Sequence, residues 1–407
     1  MCKKCDDRPA TFRPSRITAA EVKSAIPGRL FIPDTSKSLY YLARDISVTA
    51  LLAWLAWTAD RHLEAYYVTR REELQVYVSI SRGLVWCLYW WFQSLSFASL
   101  WLLAHECGHG SLFPYSILNN FVGFVLHSFV GTPYYSWKYS HRQHHRFNGH
   151  VEKDEHYIPK VLDADQPAHG SGFWEAVEDT PIFQVIKLAF QQIFGFQSYL
   201  LVNVSGQARY KGWTSHFNPF CALYRHSQRF DIILSDVGLL LNLAFLVYAA
   251  RAPPLSTGAV VRIYGIPWIL LNHWIAMIVS LQHTDSMLPR YRDGAYTFAR
   301  GALVTVDREF LGWQGKFFLH YVAHCHVLHH FFPSMPFYHL EEATQYAKKV
   351  LGDDYISCDT SGFKALWQNA LRCQYVDAKG DIVFYKDKTG SARFRTACEN
   401  DPIPMRQ

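Results

Sequence analysis

Four apolar stretches stand out in the hydrophobic pattern of this 407-residue chain. They cover residues 46–59, which can be extended back to Tyr40, and residues 83–104, 232–250 and 263–281. A helix needs roughly 20 mainly apolar residues to cross the hydrocarbon core of a membrane, and the second stretch meets this length by itself. A short loop with two consecutive prolines joins the last two stretches, as in a helical hairpin. The pattern therefore predicts about four transmembrane helices.

Two other segments are apolar but lack the pattern of a span. The stretch 120–135 is short for a span and contains Gly123, Gly131 and Pro133, so we interpret it as a re-entrant or interfacial helix. Residues 182–204 mix apolar residues with three glutamines, which favours an amphipathic helix lying on the membrane surface. Beyond residue 283 the chain is polar to its C-terminus, where residues 381–386 have the composition of a short strand.

The predicted fold class is accordingly an all-α membrane protein with about four transmembrane helices, interfacial helices and a cytosolic helical cap. We expect a polar cytosolic segment at 1–39, a membrane domain at 40–350 and a cytosolic tail at 351–407. Only 18% of the residues are charged, whereas a soluble domain has about 25%. The net charge of +6 is modest and gives no reason to expect a nucleic-acid partner. The nine cysteines show no paired framework, which indicates a reducing compartment.

Histidine-rich motifs lie just beyond the ends of the predicted spans. If the first span leads away from the N-terminal side and the second returns, His105 emerges on the N-terminal side. The third and fourth spans form another out-and-back pair, which brings His283 and the following residues to the same face. Most lysines and arginines fall in the segments placed on this face, in agreement with the positive-inside tendency. The topology predicts that the histidine motifs meet at the cytosolic membrane face.

Three histidine boxes carry the candidate chemistry. The first has histidines at i and i+4, and the other two have histidines at i, i+3 and i+4: His105 and His109; His141, His144 and His145; His326, His329 and His330. On a helix these offsets lie on one face, so the imidazoles of each box can point at a common centre. Imidazole binds iron, zinc, copper and nickel, and eight histidines exceed the ligands of one tetrahedral zinc ion. The set predicts a dinuclear metal centre with four or five nitrogen ligands for each metal.

In this order, the boxes HECGH, HRQHH and HVLHH resemble those of the membrane fatty acid desaturase superfamily. The flanking sequences PYYSWKYS, LQHT, RGALVTVDR and PFYH are similar to the oleate, or Δ12-type, branch of plants and fungi. The resemblance implies a di-iron enzyme of the endoplasmic reticulum membrane that uses O₂ and takes electrons from a separate cytochrome b5 and its reductase. It also implies that His283 is a ninth metal ligand, a role that its position at the end of the fourth span leaves open.

The resemblance implies oxidation of an acyl chain presented as a membrane lipid or as acyl-CoA. An unactivated methylene C–H bond cannot be attacked by acid–base side chains and requires an oxidising metal–oxygen species, which two iron ions and O₂ can provide. We expect the chain to enter an apolar tunnel lined by aromatic residues such as those between Trp86 and Trp101. Glu106 and Asp307 are the candidates to hold the second nitrogen atoms of the imidazoles.

Two departures from the branch leave the product open. His324 stands two positions before the third box, where an acidic residue is expected, and Gly110 follows the first box, where the branch usually has His or Gln. Relatives in the branch include hydroxylases, acetylenases and conjugases, and these activities are alternatives to desaturation. A non-catalytic membrane metal transporter is an alternative of another class, although transporters place ionisable groups within their spans and not beyond the ends.

Overall fold

The computed structural model describes residues 9–68, 72–163, 177–178 and 180–397. The helices up to His283 are α1 Ala19–Ala25, α2 Thr35–Val68, α3 Glu72–His109, α4 Ser116–Phe129, α5 Tyr134–Phe147, α6 Pro181–Val202, α7 Arg229–Arg251, α8 Thr257–Val260 and α9 Ile266–His283. A π-helical turn, Val261–Gly265, joins α8 to α9. The helices after His283 are α10 Phe298–Ala302, α11 Trp313–Phe318, α12 His326–Phe331, α13 Phe337–Leu351 and α14 Gly362–Arg372.

Helix α3 carries the first histidine box beyond the predicted membrane core. Its 38 residues rise about 57 Å, which exceeds the roughly 30 Å thickness of a hydrocarbon core. Every residue from 93 to 108 is buried, because α2, α4 and α9 all pack against this helix. Gly110 ends the helix with a φ of +74°, a left-handed conformation that glycine adopts without a clash at Cβ.

Four described helices are long and apolar enough to cross a membrane, which confirms the predicted number. Three of them, 35–66, 226–251 and 257–283, contain predicted spans. The predicted span 83–104 lies in α3 and is not among the four, because its tryptophan, tyrosine, serine and glutamine residues lower its mean hydropathy. The fourth helix is instead α6, which we expected to lie on the membrane surface. By length and composition α6 is therefore a candidate span, and which of α3 and α6 crosses the membrane stays a prediction.

The contacts of α6 show where its second half lies. Gln191 donates a hydrogen bond to the hydroxyl of Tyr157, and the N–H of Ile158 donates to the carbonyl of Ser205 over 3.2 Å. Gln191 in the second half of α6 and Ser205 just after the helix therefore both contact the segment 157–158, which follows the second histidine box. The surface location of α6 stays a prediction.

Helix α4 and the turn after it correspond to the predicted re-entrant segment. With 14 residues, α4 is about 21 Å long and too short to cross a hydrocarbon core. It approaches α3 closely, since a Cβ atom on Gly123 would lie 2.3 Å from the ring of Tyr134 and 2.8 Å from Cβ of Cys107. Gly131, with a φ of +76°, then turns the chain toward α5. The glycines that interrupt the apolar pattern thus allow close packing and a sharp turn.

Short strands attach the C-terminal part of the chain to the cap. The pairs are β1 Ala10–Phe12 with β8 Phe394–Thr396, β2 Val161–Leu162 with β6 Val376–Asp377, β3 Pro289–Tyr291 with β7 Ile382–Phe384, and β4 Asp307–Arg308 with β5 Ser357–Cys358. Strand β7 confirms the short strand predicted at 381–386. Each strand after α13 therefore pairs with a segment from earlier in the chain, so the predicted tail packs on the rest of the molecule. Residues 1–8 and 398–407 of the predicted end segments lie outside the described residues.

Candidate metal centre

Four helices bring the nine predicted metal ligands together. The first box lies at the C-terminal end of α3, the second on α5 and the third on α12, and His283 is the last residue of α9. On α5 the offsets i, i+3 and i+4 put His141, His144 and His145 on one side, as the 3.6-residue repeat requires. The same offsets on α12 direct the third box into the space between the helices.

Five of the histidines form a group that we name cluster A. Its members are His105, His109, His141, His145 and His329, and one ring nitrogen of each lies within 4.8 Å of all the others. The Nε2 atoms of His105 and His109 are 3.2 Å apart, those of His109 and His141 are 3.1 Å apart, and those of His141 and His145 are 3.0 Å apart. Cluster A thus directs nitrogen atoms from three boxes at one small volume.

The other four histidines form cluster B. It contains His144, His283 and His330, whose ring nitrogens lie within 4.8 Å of one another, and His326, whose Nε2 is 3.0 Å from Nε2 of His283. The two clusters adjoin, since the rings of His145 and His330 stack with 4.1 Å between their centroids. All nine predicted ligands therefore meet, as one set of five and one set of four.

Burial disfavours the charged form of four of these imidazoles. It lowers the pKa of His141, His145, His329 and His330 well below the usual value, and the neighbouring histidines lower it further because their positive charges would repel one another. Neither ring nitrogen of His329 or His330 has a hydrogen-bond partner among the described residues. Buried polar atoms normally have partners, and neutral imidazole is a good ligand for first-row metals. The donor set therefore fits two metal ions.

The two predicted supporting carboxylates have different contacts. Oε1 of Glu106 lies 3.1 Å from Nδ1 of His105, while its Oε2 accepts a hydrogen bond from the hydroxyl of Ser111. Asp307 accepts hydrogen bonds from groups other than an imidazole: its Oδ1 accepts the backbone N–H of Val327 over 2.8 Å, and its Oδ2 accepts the side-chain hydroxyl of Tyr355. Asp307 thus holds the first turn of α12, and burial raises its pKa to about 7.

Asp154 is a residue of the site that the sequence interpretation missed. Its Oδ1 accepts a hydrogen bond from Nδ1 of His144 over 2.7 Å, and both side chains are buried. Asp154 lies in a turn between α5 and β2, where no helical offset relates it to a histidine box. The only signal in the sequence was an acidic residue close after the second box, within a polar and histidine-rich stretch.

An apolar cavity of about 270 Å³ opens onto both clusters. His105 and His141 of cluster A line it, together with His144, His283 and His326 of cluster B. Its apolar walls come from α3, α6 and α9 and include Trp101, Leu102, Phe196, Ile275 and Ile278. Of the aromatic residues expected between Trp86 and Trp101, only Trp101 lines this cavity; Trp86 instead packs with Tyr89 and Ala56 near α2. The aromatic stretch extends beyond the cavity because Trp86 lies 15 residues before Trp101, which is about 22 Å along the helix.

Comparisons with known proteins agree with this geometry. A family model described as fatty acid desaturase matches residues 82–362, a range that contains both clusters. The chain is also 37% identical over 388 residues to the Δ12 fatty acid desaturase of Mortierella isabellina, with 91% of this chain and 90% of that protein covered. The chain belongs to the fatty acid desaturase family. It is therefore a membrane oxidoreductase of the desaturase type, as the sequence predicted.

Two other relatives show how activities vary among similar members of the desaturase family. The Δ12 fatty acid desaturase of Arabidopsis thaliana is 34% identical over 376 residues, covering 91% of this chain and 92% of that protein. The oleoyl-12-hydroxylase of Ricinus communis is 34% identical over 361 residues, covering 88% and 87%. Equal identity to a desaturase and to a hydroxylase means that overall similarity does not separate these two products.

Neither of the two residues that depart from the desaturase branch belongs to cluster A or to cluster B. His324 points toward Glu309, with 3.5 Å between its Nε2 and the carboxylate, and it belongs to neither cluster. Gly110 is the left-handed residue that ends α3, where the N–H groups of Gly110 and Ser111 donate to the carbonyls of Cys107 and Glu106. Glycine at this position thus has a local structural reason.

Proposed function

We propose that this member of the desaturase family introduces a Δ12-type double bond into an acyl chain, with one iron ion held by cluster A and one by cluster B. The observation that supports it most directly is the apolar cavity, because histidines of both clusters line it. A substrate chain in the cavity would therefore lie beside both metal positions. The family match and the names of the relatives support the substrate class.

The ligand set of the proposal is His105, His109, His141, His145 and His329 in cluster A, and His144, His283, His326 and His330 in cluster B. Two iron ions, with O₂, supply the oxidising power that an unactivated C–H bond requires. The protein contributes orientation: Glu106 and Asp154 accept the Nδ1–H of His105 and His144 and thereby leave each Nε2 free to bind metal. Trp101 and Phe196 exclude water from the cavity and position the acyl chain.

Electrons come from another protein in this proposal, as the resemblance to the desaturase superfamily implies. We therefore propose a separate cytochrome b5 and its reductase as donors, with the clusters at the cytosolic face of the endoplasmic reticulum membrane. The acyl chain would be presented by a membrane lipid or by acyl-CoA.

Expression in yeast fed with oleate or linoleate, followed by mass spectrometry of the lipids, tests the proposal. We expect a new Δ12 double bond with oleate and no product with His144→Ala. His62→Ala, which changes an exposed histidine on α2, is the control and should retain the product. A hydroxylated, acetylenic or conjugated product would favour the alternative activities that the sequence left open. A purified protein that binds zinc and yields no lipid product would refute the enzyme proposal and favour metal transport.

A further inference from the structure

A buried arginine connects cluster B to the C-terminal part of the chain. Arg290 lies in β3 and is only 1% exposed. Its Nη2 donates to the backbone carbonyl of His283 over 2.6 Å and to the hydroxyl oxygen of Tyr385 over 3.1 Å. Its Nη1 lies 4.0 Å from Oδ2 of Asp154, the carboxylate that holds His144. One guanidinium group therefore contacts the supports of two cluster B histidines.

His283 depends on its main chain for its position. Among the described residues, Nδ1 of His283 has no hydrogen-bond partner, so no carboxylate holds this nitrogen as Asp154 holds Nδ1 of His144. Its carbonyl lies at the end of α9, where the last four carbonyls of a helix have no donor within the helix. A positive charge at this end also interacts favourably with the helix dipole. Arg290 supplies both the hydrogen-bond donor and the positive charge at His283, the residue through which α9 contributes an imidazole to cluster B.

The C-terminal segment, which we define as residues 376–385, holds Arg290 in place. Strand β3 pairs antiparallel with β7, and Tyr385 follows β7 directly. The ring of Tyr385 is 3% exposed and lies 5.4 Å from the guanidinium carbon of Arg290. Residues nearly one hundred positions after His283 thus complete the environment of the arginine. A part of the chain that carries none of the nine histidines is connected to cluster B by two hydrogen bonds.

We propose that Arg290, oriented by Tyr385, is a positioning residue for the metal ion of cluster B, and that the C-terminal segment is needed for retention of that ion. The inference rests on the proposed function in one respect, the presence of iron in cluster B. It predicts an asymmetry between the two irons, since within the described part of the chain no contact of Arg290 reaches a residue of cluster A.

Iron release from the purified full-length protein to an excess of chelator tests this role. In Arg290→Gln we expect about one iron per chain to leave some 10- to 100-fold faster than in the wild type, the usual effect of removing a support outside the ligand sphere. The other iron should leave at the wild-type rate, and one of two Mössbauer components should be lost first.

Arg290→Lys keeps the charge and should restore part of the retention. Tyr385→Phe removes one hydroxyl group and should also speed the release of one iron, by a smaller factor. This variant decides the test if Arg290→Gln does not fold.

Arg292→Gln is the matched control. Arg292 lies just past β3 and also fastens the C-terminal segment, through the carbonyls of Asp377 and Gly380, but it contacts no cluster histidine. We expect wild-type iron release from this variant. Equal acceleration in Arg290→Gln and Arg292→Gln, or no acceleration in Arg290→Gln, would overturn the positioning role while leaving the proposed function intact. A wild-type protein without iron would instead refute the proposed function.

Discussion

Asp154 and His144 form a hydrogen bond of 2.7 Å between side chains that are each 1% exposed. The carboxylate also accepts the backbone N–H groups of Gly149, Glu155 and His156. Burial acts to raise the pKa of Asp154, but His144 and the other donors lower it below its usual value. An ionised carboxylate only accepts hydrogen bonds, so Nδ1 of His144 is the donor in this contact, and Nε2 is the ring nitrogen that would bind the metal ion of cluster B.

Asp154→Asn should therefore weaken iron binding without unfolding the protein. Asparagine has the same shape and still offers one oxygen to the backbone donors, but it lacks the charge that fixes the protonated Nδ1. We expect the affinity for iron to fall about 10- to 100-fold, measured as iron per chain after dialysis against graded chelator. Glu152→Gln removes an exposed carboxylate nearby that contacts none of the nine histidines, and it should bind iron as the wild type does. Equal affinity in Asp154→Asn and Glu152→Gln would contradict this assignment.

Asp307 should make the stability of the metal-free protein depend on pH. Its pKa is raised to about 7 by burial, whereas an aspartate in an unfolded chain has a pKa of about 3.9. A raised pKa contributes stability that is complete below about pH 4 and is lost as the pH rises through about 7. The wild type should therefore lose stability relative to Asp307→Asn over this range, because asparagine stays neutral.

The measurement is the difference in Tm between Asp307→Asn and wild type, in detergent and without metal, from pH 4 to pH 8. Asp359→Asn, which changes an exposed carboxylate on the loop after β5, is the control for removal of one acidic group. A difference that stays constant across the range would show that Asp307 is ionised throughout.

The clustered histidines predict a pH dependence of the opposite sign. The pKa values of His141, His145, His329 and His330 are lowered well below normal by burial and by mutual repulsion. Lowered pKa values contribute stability that is present above the unfolded pKa, about 6.5, and is lost as the pH falls. The metal-free double variant His329→Gln/His330→Gln should thus lose less stability than metal-free wild type between pH 7 and pH 5. Thermal unfolding of both proteins measures this, and parallel curves would argue against buried neutral imidazoles.

A bulky side chain in the cavity should block the substrate without releasing iron. Ala276 on α9 lines the cavity beside Ile275 and Val279, so Ala276→Phe fills space that an acyl chain needs. We expect a loss of product of at least about tenfold, with wild-type iron content, from lipid analysis and metal measurement on one preparation. Ala249→Phe makes the same change in a second apolar cavity between α2, α3, α4 and α7, which does not contact the clusters. Equal loss of product in both variants would mean that Ala276→Phe acts through general destabilisation.

The sequence by itself determined the class of the fold and the nine candidate ligands. Hydropathy over about twenty residues predicts membrane helices, and the helical offsets within each box place its imidazoles on one face, because both patterns depend on local backbone geometry. These offsets account for eight histidines, and the ninth, His283, came from the resemblance to the desaturase superfamily. The same local reasoning chose residues 83–104 as a span, whereas the length and composition of the described helices select α6 as the fourth candidate.

Only the tertiary structure decided how the ligands are shared and what supports them. His144 and His145 are neighbours in the sequence, yet they belong to different clusters, and so do His329 and His330. Successive residues on a helix point about 100° apart, and the cluster each one joins depends on which helices lie opposite. Asp154 and Arg290 reach cluster B from a turn and a strand, where no helical repeat relates them to a box. Their roles arise from contacts between distant segments, which a pattern along the chain does not contain.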